Sequence, residues 1–218
     1  MIRPFGWNEF LFILTAAQWT LALSAIAFAG GGIGGFAIAL ARTSGARPLR
    51  LAAAAFIRLF QGTPLLMQLF LVYFGMNIIG FQINAWIAAM VALSLHASAF
   101  LGEIWRGSIE AVPEGQSEAA TALGLRYAHR MRFIVLPQAA RIAVAPTVGF
   151  LVQLIKGTSL ASIIGFAELA RAGQIINNAT FQPFTVFSIV AALYFAICWP
   201  LSLTARRIER KLARAAAR

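Results

Sequence analysis

Three stretches of this 218-residue chain contain no Asp, Glu, Lys or Arg: Phe10–Ala41, Leu59–Gly102 and Ala172–Ala205. A hydrocarbon core about 30 Å thick is crossed by roughly 20 apolar helical residues. The first and third runs are long enough for one crossing each, and the second for two. A fourth run, Ile142–Gly165, is interrupted only by Lys156. These lengths predict an all-α integral membrane protein with five transmembrane helices, at about 10–40, 53–78, 85–106, 142–164 and 184–204. The whole chain, 1–218, then forms a single transmembrane domain. Composition agrees, with 60% apolar and 11% charged residues, where a soluble domain carries about 25% charged. A greasy soluble bundle would show polar faces at helical spacing, and these runs show none.

The net charge of +11 raises nucleic acid as a partner, but its placement argues against one. The basic residues sit in short loops and a tail. Arg42, Arg47 and Arg50 follow the first span, and Arg106, Arg126, Arg130, Arg132 and Arg141 surround the loop at 107–141. Arg206, Arg207, Arg210, Lys211, Arg214 and Arg218 follow the last span. Arg58 and Lys156 lie near or within spans and are not counted, and only Arg3 and Arg171 fall on the opposite side. Such a bias marks the basic side as cytoplasmic, so the N-terminus is placed outside, and the central loop and C-terminus inside. The single cysteine, Cys198, allows no intrachain disulfide and no Cys-based metal cluster. The first apolar run is too long for a cleaved leader, has Glu9 at its head and has no clear cleavage site, so it reads as a span.

Local features refine the spans. The run GGGIGG, Gly30–Gly35, lacks the strand before it and the Lys-Ser/Thr after it that a phosphate loop needs; close helix packing is its expected use. Pro64, in QGTPLLMQ, removes a backbone donor and is expected to kink or break the second span. The central loop is long for a mere connection. Within it, Pro113 can start a helix, Glu114 suits its positive end, and Glu118–Leu123 are mostly strong helix formers. Gly124 suits a left-handed stop. A second, apolar-basic segment, Tyr127–Leu136, then leads to Pro137 and back into the membrane. On physics alone this short helix serves equally well as a surface cover or as a docking element for a partner.

Glu118-Ala119-Ala120, Gly124 and Ile134-Val135-Leu136-Pro137 match E-A-A-x3-G-x9-I-x-L-P at every fixed position. This resembles the EAA motif of the membrane subunits of ATP-binding-cassette importers. FQGTPLLMQLFLVYFG (Phe60–Gly75), GEIWRGSIEAVPEGQSEAA (Gly102–Ala120), LPQAAR (Leu136–Arg141) and IKGTSLASIIGFAEL (Ile155–Leu169) are similar to stretches of the polar amino acid permeases of that family. The resemblance covers about Thr15 to Lys211, nearly the whole chain. It implies a multi-pass subunit of the bacterial inner membrane that catalyses no covalent chemistry. Its central helix would be a coupling helix docked on a cytoplasmic ATPase dimer, with Glu114, Gly115, Glu118, Ala119, Ala120, Gly124 and Arg126 as the coupling residues. ATP and Mg would be bound by that partner, leaving this chain without cofactor or metal. A second permease subunit, an extracytoplasmic substrate-binding protein, lipid and an amino acid substrate complete the implied partners. The family pattern is broken at Gly157, where it has Asp; at Gln61, where it has Arg; and at Phe100, where it has Tyr. The missing acid at Gly157 weakens the case for a cationic cargo held there.

Polar residues inside spans are candidates for a substrate pathway. They are Gln68, His96, Ser98, Gln153, Lys156, Thr158 and Ser159. Hydrogen bonds between helices, and snorkelling of Lys156, are the competing uses. A polar amino acid is the expected cargo, with an opine or another small zwitterion as the alternative. An ATP-independent secondary transporter would show inverted repeats and paired midplane charges, which the sequence lacks.

Overall fold

The computed structural model describes residues 4–216, with side chains through Leu212. Arg3 and Arg218 of the charge bias lie outside the described residues, as does the side chain of Arg214. Nine α-helices are described: α1 (Trp7–Thr43), α2 (Arg47–Gln61), α3 (Leu65–Ile78), α4 (Ala85–Glu110), α5 (Glu114–Ala122), α6 (Tyr127–Arg130), α7 (Leu136–Gly157), α8 (Leu169–Thr180) and α9 (Pro183–Ala216). Four continuous helical segments are long and apolar enough to cross a membrane, and α2 with α3 make a fifth crossing if the bent pair counts as one. No strand occurs among the described residues.

α1 and α4 run parallel and form the most extensive contact in the molecule. Their backbones approach closely because the GGGIGG run faces Ser94, Ala97, Ser98 and Leu101. A Cβ placed on Gly31 would overlap the side chain of Ala97. Small residues let membrane helices gain dispersion contacts that water-driven burial does not supply in lipid. Around this pair Leu23, Leu69, Leu93, Leu101, Phe150 and Leu154 form the main core.

The second crossing departs most from a simple rod. α2 and α3 meet at 101°. Pro64 adopts φ −62° and ψ 137°, an extended conformation that ends helical pairing. Gly62 and Thr63 close the end of α2 through Gly62 N to Arg58 O at 2.9 Å and Thr63 Oγ1 to Leu59 O at 2.8 Å. Gln68, from the first turn of α3, reaches back and donates to Phe60 O at 2.7 Å, Thr63 O at 3.0 Å and Thr63 Oγ1 at 2.9 Å. Backbone carbonyls freed inside an apolar layer need such partners.

The return into the membrane has no break at Pro137. A π-turn, Met131–Val135, joins α6 to α7 on one continuous helix. Pro137 cannot donate to the Phe133 carbonyl, and Leu136 N instead bonds Met131 O, which widens the turn. At its other end α7 stops at Gly157, and 158–162 tighten to a 3₁₀ turn. There Thr158 Oγ1 donates to Ile155 O at 2.7 Å, and Ser159 Oγ to Lys156 O at 2.7 Å. Hydroxyls bonding the preceding turn loosen the α pattern. The apolar run therefore ends its regular helix earlier than hydropathy predicts.

Candidate coupling and translocation surfaces

α5 projects as a short knuckle between α4 and α6. Pro113 fixes its entry, and Gln116 N bonds Pro113 O at 3.0 Å. Its exit is set by Gly124, whose φ of +75° is available to glycine at low cost. Gly124 N then bonds Thr121 O at 2.9 Å and Leu125 N bonds Ala120 O at 3.1 Å, satisfying the last carbonyls. One side of the knuckle is anchored. Ala120 is buried, and Val112, Met131, Val135 and Ala139 form a separate small core beneath the loop. The other side is open: Glu114, Gly115, Glu118, Ala119 and Arg126 are exposed.

Arg130 donates from Nη1 to Thr121 Oγ1 at 2.9 Å, clamping the knuckle to the next segment. With Ser117, Glu118 and Ala122 these two residues line a shallow depression of about 410 Å³. Leu123, Tyr127 and Phe133 stand exposed nearby in sequence. An exposed acid, exposed bases and unburied apolar side chains on an anchored helix are the mixture of a protein-docking surface. Arg130, Thr121 and Leu123 were not among the sequence-derived coupling residues. For Arg130 the signal was its position nine residues after Thr121, which means nothing until the Gly124 turn brings them together.

The membrane-embedded candidates separate into four groups. Gln68 and His96 meet, with Gln68 Oε1 3.0 Å from His96 Nδ1. The imidazole also packs on Phe100, with ring centroids 4.5 Å apart. Ser98 is buried against α1 and donates to Ser94 O at 2.8 Å. Thr158 and Ser159 spend their hydroxyl protons on the end of α7. Gln153 and Lys156 are exposed on one face of α7 together with Gly149. These last two are the candidates that present free polar ends to a space outside the chain.

A further polar cluster is absent from the sequence-derived set. Glu168 is fully buried. Its carboxylate accepts from Tyr194 Oη at 2.6 Å, Thr20 Oγ1 at 3.2 Å and Arg171 N at 3.0 Å. Thr20 Oγ1 in turn accepts from Leu169 N at 3.1 Å. This caps α8 and ties it to α1 and α9. Among the described residues, no group of His, Cys, Asp and Glu is arranged to hold a metal.

The sequence profile of the family described as "Binding-protein-dependent transport system inner membrane component" matches residues 31–214. The chain is 38% identical over 206 residues to YckA of Bacillus subtilis, a probable amino-acid ABC transporter permease protein, covering 94% of this chain and 91% of YckA. It is 38% identical to the L-cystine transport system permease protein TcyB of the same organism, covering 90% of this chain and 84% of TcyB. Against the glutamine transport system permease protein GlnP of Escherichia coli it is 34% identical, covering 94% of this chain and 95% of GlnP. A crystal structure of an amino acid ABC transporter with histidines superposes with a TM-score of 0.86 at 36% identity, over 92% of this chain and 94% of that one.

Proposed function

Given that the chain belongs to the binding-protein-dependent transport system inner membrane component family, we propose that it is the polar amino acid permease of an ATP-driven importer, worked through α5. The membrane setting and the role of transporter permease subunit follow from the family and the relatives. The cargo and the way force reaches this chain are our reading. Relatives named for cystine and glutamine support an amino acid cargo. The observation that carries the mechanism is the anchored, outward-facing knuckle bearing Glu118.

In this reading a cytoplasmic ATPase dimer, which binds ATP and Mg, receives α5 of this chain and of a second permease subunit. Glu114, Glu118 and Arg126 supply polar contacts. Ala119 and Gly115 leave room for close approach, and buried Ala120 and the Gly124 turn hold the helix to the body. Nucleotide-driven closure of the ATPases biases the permease between two arrangements, which requires differential affinity for the two states. An extracytoplasmic binding protein delivers cargo to the open arrangement. Gln153 and Lys156, on the open face of α7, border the path. Lys156 offers a positive group to a carboxylate, and a lysine in lipid would carry a cost of about 2.5–3.5 kcal/mol at the bilayer centre.

The test is uptake in vesicles containing the assembled transporter and its binding protein, with a panel of labelled amino acids and opines. ATP-dependent uptake of a polar amino acid is expected. Glu118→Lys is expected to abolish uptake while ATP hydrolysis and membrane insertion persist. Ion-gradient-driven uptake that survives a disabled ATPase would instead indicate a secondary transporter.

A further inference from the structure

Tyr194 of α9 stands where two apolar clusters meet. On one side are Ile13, Leu169, Val186 and Val190. On the other are Val152, Ile155 and Cys198. Its hydroxyl donates to the fully buried Glu168 at 2.6 Å, a length typical of an O–H···O⁻ bond to an ionised acceptor. On α7, Val152 and Ile155 are buried and directly precede the exposed Gln153 and Lys156. Whatever fixes the first pair also fixes how α7 turns its open face.

Every hydrogen-bond partner of Glu168 donates. Arg171 N reaches one carboxylate oxygen and Thr20 Oγ1 the other. The Thr20 hydroxyl accepts from Leu169 N, which leaves its proton for Glu168. An ionised carboxylate fills this acceptor-only role; a carboxamide, with two protons of its own, fills it in part. Arg171 gives its guanidinium to Gln174 Oε1 at 3.2 Å, and Glu168 has no ion pair among the described residues. A charge held in an apolar layer by hydrogen bonds alone is costly. Capping α8 does not demand one, since Asn or Ser caps a helix without it.

We propose that Glu168 is a positioning residue for transport: through Tyr194 it sets the rotation of α7 that presents Gln153 and Lys156 to cargo. This rests on the reading that their face borders the path.

Tyr194→Phe keeps the ring in both clusters and removes one hydroxyl. In vesicles containing the assembled transporter and its binding protein, it is expected to lower the cargo moved per ATP several-fold, and Glu168→Gln to do so at least as strongly. Because both act on one contact, the double variant is expected to be no worse than Glu168→Gln alone. A water-soluble thiosulfonate reagent reports on the face without cargo. In a Cys198→Ser background, the reaction rate of Gln153→Cys is expected to change several-fold when Tyr194→Phe is added, and that of Asn178→Cys on α8 to stay the same. Effects that multiply in the double variant, an unchanged Gln153→Cys rate, or a change at Asn178→Cys alone overturns the proposal and leaves the pathway reading standing. A Gln153→Cys that never reacts overturns both. Should the unmodified transporter show no ATP-dependent uptake, the importer reading fails by itself, and the thiol rates still decide the link through Tyr194.

Discussion

Gly31 shows how much depends on one absent methyl group. Any side chain there must displace Ala97, which is fully buried on α4. Overpacking of this kind costs about 1–3 kcal/mol. Gly31→Ala is therefore expected to lower the thermal midpoint of the detergent-purified protein, and Ala97→Gly in the same chain to restore most of it. Gln68 carries a different burden, since its amide serves the carbonyls of Phe60 and Thr63 at once. Gln68→Leu keeps the bulk and strands those acceptors, at about 1–3 kcal/mol. The same thermal assay is expected to register the loss; an unchanged midpoint would mean that water replaces the amide. The glycine run could be read in advance as a packing device, because nothing beside it suits phosphate. The role of Gln68 could not, since a polar residue in an apolar run looks the same whether it meets cargo or backbone.

At the scale of elements, α5 is defined by its two ends. Gly124→Pro would force φ from +75° to about −65°, redirecting the chain between α5 and α6. Hydrolysis without uptake is expected in reconstituted vesicles, and normal uptake would show that the turn has no part in coupling. Both ends of this helix were legible, because Pro and Gly act through local backbone geometry. Its packing was not: Ala119 and Ala120 are adjacent and alike, yet one is exposed and the other buried. The break expected at Pro64 is present, but its angle of 101° could not be read from the sequence. A proline in sequence signals a kink, but the angle depends on Gly62, Thr63 and Gln68 acting together. The Glu168 cluster was hidden for a similar reason, with Thr20 148 residues away and Tyr194 26 residues away.

For the whole molecule, the segregation of charge predicts the topology. In a Cys198→Ser background, a cysteine at Ala119 is expected to resist a membrane-impermeant maleimide in intact cells and to react after the cells are opened. A cysteine at Asn178, which is exposed in α8, is expected to react in intact cells. The reverse pattern would invert the orientation and place α5 beyond the reach of a cytoplasmic ATPase. Charge-free run lengths gave the class of fold because oil tolerates few alternatives to a helix. They carried no information on which helices touch.

The parallel pairing of α1 and α4 has a mechanical consequence. Glycine contacts fuse these helices into a beam, and α5 begins only a few residues past the end of α4. A push on the knuckle must therefore move the beam as one body. α2 and α3, by contrast, share no continuous ladder of amide bonds across Pro64, and the side chain of Gln68 braces the joint between them. Under the coupling proposed above, a stroke would pass through unbroken helix in the first pair and, in the second, across an elbow held by one amide.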